Sequence, residues 1–256
     1  PDTQGFKLKP EQLEAAITPK TKWLVLNSPN NPSGAIYSEA EMQAIVDVLV
    51  RHPHVWLMTD EIYEHFNYAG APLPAPAVQA PELKARTLVI NGVSKAYAMT
   101  GWRIGYAGGP LPLIKAMDKL MSQSIGGASA VSQAAAVAAL EHGGSFVEEA
   151  ARVFGERRDL VIKMLNDVPG LKCLAIEGAF YAYPNCAGLI GKRTPDGAVL
   201  QSDLDVRNYL LESANVAVLD GAAYGLSPYL RLSFATSTEI IAEGCRRIKE
   251  ACQALS

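Results

Sequence analysis

The sequence lacks the features that several common protein classes require. Its four cysteines form no CxxC pair, and no GxGxxG motif opens a helix. No apolar run reaches the roughly 18 residues that a membrane span needs. A net charge of -3 provides no basic surface for nucleic acid or an anionic membrane. These absences argue against a disulfide scaffold, a zinc ribbon, a dinucleotide-binding enzyme, a membrane protein and a nucleic-acid-binding protein.

What is present fits a folded protein with a substantial core. The chain has 256 residues, of which 49% are hydrophobic and 19% charged, so we expect one large or two modest domains. No charged and then apolar segment opens the chain, so no secretory signal is predicted. The cysteines are predicted to be reduced core thiols in a cytoplasmic compartment. They are Cys173, Cys186, Cys245 and Cys252.

The pattern of apolar residues predicts an α/β protein with two parts. The first half alternates short apolar runs with amphipathic segments, which indicates a mainly parallel sheet covered by helices. The second half reads as a smaller α+β domain. The break at Gly143–Gly144–Ser145 places the predicted boundary near Gly144. We therefore predict domains at residues 1–144 and 145–256.

The predicted elements follow from periodicity and turn residues. The predicted strands are 23–27, 55–60, 87–91, 104–108, 171–176, 179–183, 216–219 and 229–234. The predicted helices are 38–50, 112–123, 132–142, 146–166, 203–214 and 238–255. Residues 69–85 contain four prolines and are predicted to be an irregular surface connection.

Four groups of polar residues lie at or just beyond predicted strands. Because the carboxyl ends of parallel strands form the ligand crevice of open α/β sheets, these positions are candidates for chemistry. The groups are Asn30–Gly34, Asp60–Tyr63, Ser94–Lys95 with Gly101–Arg103, and Arg231 in Leu230–Ser233.

Each group also has a simpler interpretation. Lys95 is either a surface lysine or an amine that forms an imine. Asp60 is either a buried acid with a paired partner or an acid that faces a heterocyclic cation. Asp60 and Glu61 point to opposite faces of a strand, so we predict no metal site there. Arg231 is either solvent-facing or a bidentate fork for a ligand carboxylate.

Taken together, in this order and spacing, the motifs resemble those of one family. They are 27-NSPNNPSG-34, 60-DEIY-63, 94-SK-95 continuing to 99-MTGWRIGY-106, and 231-RLSFA-235. This sequence is similar to the class I/II aminotransferases, which are pyridoxal-phosphate enzymes of fold type I. It looks closest to the bacterial aspartate aminotransferases of broad specificity, and the resemblance covers the whole chain.

The resemblance implies a role for each matching residue. Lys95 would form the internal aldimine and later move the proton, and Asp60 would pair with the pyridinium nitrogen. Asn31 and Tyr63 would hydrogen-bond the ring oxygen, and Asn31 would also contact the substrate. Arg103 would hold the cofactor phosphate, with Ser94 among the cofactor-binding residues. Arg231 would bind the α-carboxylate of the substrate.

The sequence departs from the family pattern in two respects. The family's chains are longer at the N-terminus, where they supply a phosphate-binding turn, a ring-stacking aromatic residue and a tyrosine of the partner subunit. With Pro1 as its first residue, this sequence is expected to be a fragment, a cleaved product or part of a chain. The arginine that some members use for a distal carboxylate is also not evident, because residues 122–151 contain no Lys or Arg.

The predicted function is therefore a ping-pong transaminase acting on aspartate and a 2-oxo acid such as 2-oxoglutarate. Prephenate, aromatic amino acids and alanine stay open as substrates. A lyase of the C–S type on the same fold and a non-catalytic sensing module of a transcription factor are the alternatives. Family membership further implies a homodimer, with residues 124–132 as a candidate partner contact, and small-molecule rather than nucleic-acid or membrane partners.

Overall fold

The computed structural model describes residues 1–256 as seven strands and eight α-helices joined by turns and short 3₁₀ segments. The strands are β1 (Trp23–Asn27), β2 (Trp56–Asp60), β3 (Thr87–Gly92), β4 (Gly105–Gly108), β5 (Tyr181–Ala182), β6 (Leu219–Asp220) and β7 (Leu230–Ser233). The helices are α1 (Pro10–Ala16), α2 (Glu39–Arg51), α3 (Pro76–Gln79), α4 (Leu111–Ser124), α5 (Ala130–His142), α6 (Gly144–Asn166), α7 (Asp203–Ala214) and α8 (Thr238–Gln253).

The chain divides into two compact units. The N-terminal unit comprises Lys7–Pro29 and Ile36–Ala151, and the C-terminal unit comprises Pro1–Phe6, Asn30–Ala35 and Arg152–Ser256. The division thus falls within α6, and two short early segments belong with the later part of the chain. The domain boundary at residue 144 stays a prediction.

The N-terminal unit contains a four-stranded sheet in the order β1-β2-β3-β4. The first three strands are parallel, with Asn27 opposite Asp60 and Asp60 opposite Ile90, and β4 pairs antiparallel with β3. The mainly parallel sheet with its helices confirms the predicted α/β class. It also brings the carboxyl ends of β1, β2 and β3 to one edge.

The core of this unit lies where α2 packs with the strands. Its most buried side chains are aliphatic residues at helical spacing on α2 and alternating residues of the strands, which is the arrangement that the periodicity predicts. They include Ile45, Val46, Leu49, Val55, Leu57 and Leu83, all fully inaccessible to solvent.

The C-terminal unit contains a small sheet in the order β5-β7-β6, with β7 antiparallel to both neighbours. Arg231 on the central strand pairs with Leu219 of β6. Helix α8 begins at a cap in which the Ser237 side chain accepts a hydrogen bond from the N–H of Ile240. Its buried face includes Ile241, Cys245 and Ile248. This α+β arrangement places Arg231 in the middle of the sheet.

Two sequence-based interpretations need correction, and one helix was not predicted. Residues 171–176 form no strand, because the Asn166 side chain bonds both the N–H and the C=O of Cys173 and so occupies groups that a ladder would need. Residues 69–85 are not wholly irregular, since they contain α3 and most of a 3₁₀ segment, Pro81–Arg86. Helix α1 was not predicted, although Pro10 at its first turn is a typical start.

All four cysteines are free and buried, as the sequence predicts. No helix combines the length and apolar character required to cross a membrane.

Candidate functional site

The end of β2 presents an acid and a phenol at the carboxyl edge of the parallel sheet. Asp60 is the last residue of this strand and is half-buried. Its Oδ1 accepts a hydrogen bond of 3.3 Å from the N–H of Ile62, and Asn27 Nδ2 donates to the Asp60 carbonyl at 3.0 Å. These contacts fix the turn after β2. Tyr63, three residues on, is buried.

Lys95 lies three residues beyond β3 and comes close to Tyr63. Its Nζ is 5.8 Å from the centroid of the Tyr63 ring, a cation–π distance. Lys95 and the preceding Ser94 are half-buried. The structure thus brings together an amine and a phenol that follow neighbouring strands, as the sequence predicts for the edge of a parallel sheet.

The loop that carries Lys95 rests on a small apolar cluster. Val93, Ile104 and Ala136 are buried together, and Tyr97 and Met99 pack against them. The backbones of β3 and β4 meet closely at Gly92, where an added Cβ would lie only 2.9 Å from the Ile104 carbonyl oxygen. These contacts hold the segment after β3.

Arg103 is exposed in the same loop. It follows the 3₁₀ turn Thr100–Trp102 and adopts a left-handed conformation with φ of 56°. Its Nη1 donates to the carbonyl of Thr100 at 3.0 Å. The guanidinium is accessible and positively charged, which suits an anion such as a phosphate.

Glu61 is a half-buried acid beside Asp60. Its Oε1 accepts a 2.9 Å hydrogen bond from the Thr59 hydroxyl. Burial raises the pKa of Glu61, as do the charges of Glu64 and Asp60, while the Thr59 hydrogen bond opposes them. The sequence predicts only that Glu61 shares no metal site with Asp60, and the alternation of a strand end does not reveal its partial burial.

Asn31 lies on a tight turn within the C-terminal unit. Asn30 closes the turn, because its Oδ1 accepts from the N–H of Ser33 at 3.1 Å and from the Ser33 hydroxyl at 2.8 Å. Gly34 is required here: φ is 71°, and a Cβ would lie 2.6 Å from Ile176 Cγ2. The Asn31–Pro32 peptide bond is cis. The turn therefore fixes the backbone that carries Asn31.

Arg231 contacts Asn31 in this unit, 200 residues away in sequence. Its Nη1 donates to Asn31 Oδ1 at 3.1 Å. The guanidinium carbon lies over two rings, 4.6 Å from the centroid of Tyr181 and 5.3 Å from that of Tyr224. Its Nε is buried without a hydrogen-bond partner. A guanidinium cation that has a buried N–H without a hydrogen-bond partner is suited to binding a carboxylate.

The predicted site residues therefore form two groups. Within the N-terminal unit, Lys95 and Tyr63 are close, and Asp60 precedes Tyr63 on the same turn. Within the C-terminal unit, Arg231 and Asn31 are joined by a hydrogen bond. Tyr181 and Tyr224 were not among the predicted site residues. Tyr181 lies in the predicted strand 179–183, and no local pattern marks Tyr224.

Comparison with known proteins identifies relatives along the whole chain. The model of the family "Aminotransferase class I and II" matches residues 1–248. An aspartate aminotransferase of Rhizobium meliloti (strain 1021) is 54% identical over 254 residues, which are 99% of this chain and 62% of that protein. An aspartate/prephenate aminotransferase of Cereibacter sphaeroides is 51% identical, covering 98% of this chain and 63% of its own length.

Solved structures agree with the sequence comparison. The crystal structure of the aspartate aminotransferase from Rhizobium meliloti superimposes with a TM-score of 0.97 at 54% identity, covering 100% of this chain and 64% of that one. A Thermus thermophilus aspartate aminotransferase with maleate gives a TM-score of 0.87 at 37% identity, with 98% and 62% covered. These neighbours confirm the fold type I architecture that the motifs predict.

The sequence spans 62–63% of the length of these curated relatives. The residues that the family model matches include both units. The chain belongs to the class I and II aminotransferase family.

Proposed function

We propose that the protein is a transaminase that moves an amino group between an amino acid, aspartate first, and a 2-oxo acid such as 2-oxoglutarate. The observation that carries this proposal is the approach of the Lys95 amine to Tyr63 beyond the ends of adjacent parallel strands. Relatives named aspartate and aspartate/prephenate aminotransferase support it. Because the sequence spans only part of their length, activity and substrates are proposed for the whole protein.

Class I and II aminotransferases depend on pyridoxal phosphate. When bound, this cofactor supplies an electron-accepting ring that stabilises negative charge at the substrate Cα. The donor set of the N-terminal unit fits it: Asp60 would keep the ring nitrogen protonated, and the Tyr63 hydroxyl would donate to the ring oxygen. The exposed Arg103 guanidinium, with Ser94, would bind the phosphate. A ring-oxygen contact by Asn31 stays a prediction.

Lys95 is proposed as the base that takes the proton from the substrate Cα and returns it. Its half-buried amine lies 5.8 Å from the centroid of the Tyr63 ring, which places it at the carboxyl edge of the sheet where the cofactor would bind. In the C-terminal unit, Arg231 and Asn31 are proposed to bind the α-carboxylate. The amino acid and the oxo acid would be bound in turn, so ping-pong kinetics are expected.

A direct assay tests this proposal. Full-length protein loaded with pyridoxal phosphate is mixed with aspartate and 2-oxoglutarate, and formation of glutamate and oxaloacetate is measured. We expect Lys95→Ala to lower kcat by at least about 10³-fold, because both proton transfer and cofactor attachment are lost. Lys115→Ala, on the exposed face of α4, is the control and should keep the parent rate.

The same assay separates the alternatives. A lyase would release pyruvate or ammonia from its substrate without needing a 2-oxo acid, and this result would contradict the proposal. Activity of Lys95→Ala within about tenfold of the parent would remove Lys95 from the mechanism. Prephenate is a second candidate acceptor, because several relatives are named for it.

The finer proposals concern assembly and location. We propose that the protein forms a homodimer, as members of the family do. Helix α5 exposes the apolar side chains of Val131, Val137 and Leu140, which supports a further contact with the partner subunit on this helix. We also propose a cytoplasmic location, since all four cysteines are free thiols.

A further inference from the structure

The surroundings of Arg231 include more than its hydrogen-bond partner. Its guanidinium carbon lies 5.3 Å from the centroid of the Tyr224 ring as well as 4.6 Å from that of Tyr181. An arginine side chain has several rotatable bonds and loses rotamer entropy when it is held in one conformation. Ring faces that attract the cation therefore reduce the conformations that Arg231 can adopt.

Tyr224 itself is held in place by two buried acids. It ends the short 3₁₀ turn Gly221–Tyr224, which begins at Asp220, whose Oδ2 accepts from the N–H of Ala223 at 3.1 Å. Asp203 Oδ2 accepts from the N–H of Ala222 at 3.1 Å. Both carboxylates are buried, at 7% and 2% exposure respectively. The turn is thus fixed to α7 and to the end of β6.

The backbone ties the same turn to the strand that carries Arg231. The N–H of Gly221 donates to the carbonyl of Tyr229 at 2.7 Å. A Cβ at Gly221 would lie 2.2 Å from the Leu226 carbonyl oxygen, so only glycine fits there. Asp203 Oδ2 also accepts from the N–H of Tyr229 at 3.4 Å. The position of Tyr224 relative to β7 is therefore set by several independent contacts.

We propose that Tyr224 is a positioning residue for substrate binding, which orients Arg231 so that its spare N–H donors meet the substrate carboxylate. This inference rests on the proposed function, in which Arg231 binds that carboxylate. The ring face provides the contact, so the phenolic hydroxyl is dispensable. Burial raises the pKa of Tyr224, although the charge of Arg231 opposes this, so the side chain acts as a neutral ring and not as an anion.

The test compares variants of Tyr224 in the full-length protein loaded with pyridoxal phosphate. The probe is maleate, a dicarboxylate without an amino group, whose Kd reports binding without reaction. We expect Tyr224→Leu to raise the Kd of maleate and the KM of aspartate by about tenfold, the scale of a lost cation–π contact. The kcat at saturating aspartate should stay within about twofold, because Tyr224 contacts no reacting group.

The conservative variant identifies the ring as the cause. Tyr224→Phe keeps the face and should keep the Kd of the parent. Tyr209→Leu is the matched control, because this tyrosine belongs to the same unit and its hydroxyl donates to the carbonyl of Ala251 on α8. It should lower the melting temperature without changing the Kd of maleate. Tyr224→Met, which fills similar volume without a ring face, replaces Tyr224→Leu if that variant does not fold.

Three results would overturn the inference: an unchanged Kd in Tyr224→Leu, an equal loss in Tyr224→Phe, or an equal loss in Tyr209→Leu. Each outcome is measured in protein that carries the cofactor on Lys95, as verified by borohydride reduction and mass spectrometry. Absence of that attachment in the parent would instead contradict the proposed function, so the two failures are distinguishable.

Discussion

At the scale of single residues, Glu61 shows how a buried charge affects the stability of this protein. Its carboxyl is half-buried, with Asp60 and Glu64 adding unfavourable charge and only the Thr59 hydroxyl donating to it. Burial raises its pKa above the ordinary value of 4.5, and the two neighbouring charges raise it further. The folded protein therefore holds this proton more tightly than the unfolded chain does. The stabilisation that Glu61 contributes is fully present when the pH is below the pKa of this carboxyl in the unfolded chain. It is lost as the pH rises through the pKa of the carboxyl in the folded protein.

We therefore expect Glu61→Gln to increase the free energy of unfolding near neutral pH. The gain should shrink as the pH falls through the folded pKa of Glu61 and should be absent below 4.5, where the parent carboxyl is protonated in both the folded and the unfolded state. Urea unfolding of both proteins across this pH range measures the difference. Glu212→Gln, on the exposed side of α7, is the control and should show no comparable trend. A loss of stability in Glu61→Gln that is the same at every pH would contradict this account.

The residues that bear candidate chemistry were predictable from the sequence, but their surroundings were not. Strand ends and turn residues mark Asp60, Lys95 and Asn31, because the period of a strand and its termination are local properties. The alternation around Arg231 favours a solvent-facing position. The structure shows that it contacts Asn31, Tyr181 and Tyr224 instead. These contacts join positions far apart in sequence, and no local pattern encodes them.

At the scale of elements, α2 shows how local chemistry fixes a helix start. Ser38 Oγ accepts from the N–H of Glu41 at 3.3 Å, while Glu41 Oε2 accepts from the N–H of Ser38 at 2.8 Å. Burial tends to raise the pKa of Glu41, but hydrogen bonds from Ser38 and Lys7 outweigh it and lower that pKa. This capping box satisfies two backbone donors that would otherwise be unpaired. Helix α2 contributes much of the core, so its start affects the whole N-terminal unit.

We expect Ser38→Ala to lower the free energy of unfolding by about 1 kcal/mol, since one cap acceptor is lost. Chemical denaturation monitored by circular dichroism measures it. Ser122→Ala is the matched control: this exposed serine lies in the last turn of α4, where its hydroxyl donates to the Lys119 carbonyl and accepts from Gln123 Nε2 of the same helix. It should change stability by less than about 0.5 kcal/mol. Equal effects from the two substitutions would show that the cap does not stabilise α2.

Helices and strands were predictable from the sequence where local signals were strong. They were not predictable where tertiary contacts determine the hydrogen bonds of the backbone. The predicted strand 23–27 and helix 203–214 match the structure residue for residue. The strand-like run at 171–176 is not a strand, because the Asn166 side chain bonds the backbone of Cys173. Only the folded arrangement shows that competition.

At the scale of the whole molecule, the two units include segments that the sequence order does not suggest. Pro1–Phe6 belongs with the C-terminal unit because the Tyr229 hydroxyl donates to Asp2 Oδ1 at 2.9 Å, across 227 positions. The Phe6 ring also packs edge-on against Tyr183 and Tyr229, with centroid distances of 5.4 and 5.2 Å. A boundary drawn at one point of the sequence cannot represent such an exchange. The composition and the breaks in periodicity can divide the sequence only into consecutive segments.

The cysteines report on the integrity of the C-terminal unit, which contains all four. Burial raises the pKa of Cys173 and Cys186 to about 12, and that of Cys245 and Cys252 to about 11. Because the thiolate is the reactive form, we expect no reaction with Ellman's reagent near pH 8 in the folded protein. All four should react after denaturation in guanidinium, which is the control. Rapid labelling of any thiol in the folded protein would contradict the packing described for this unit.

The most direct test of the proposed function asks which lysine carries the cofactor. Full-length protein is incubated with pyridoxal phosphate, reduced with borohydride and digested, and the pyridoxyl group is located by mass spectrometry. We predict the label on Lys95 alone, and none in Lys95→Ala. A label distributed over surface lysines, or one confined to a lysine other than Lys95, would contradict the assignment of the candidate site.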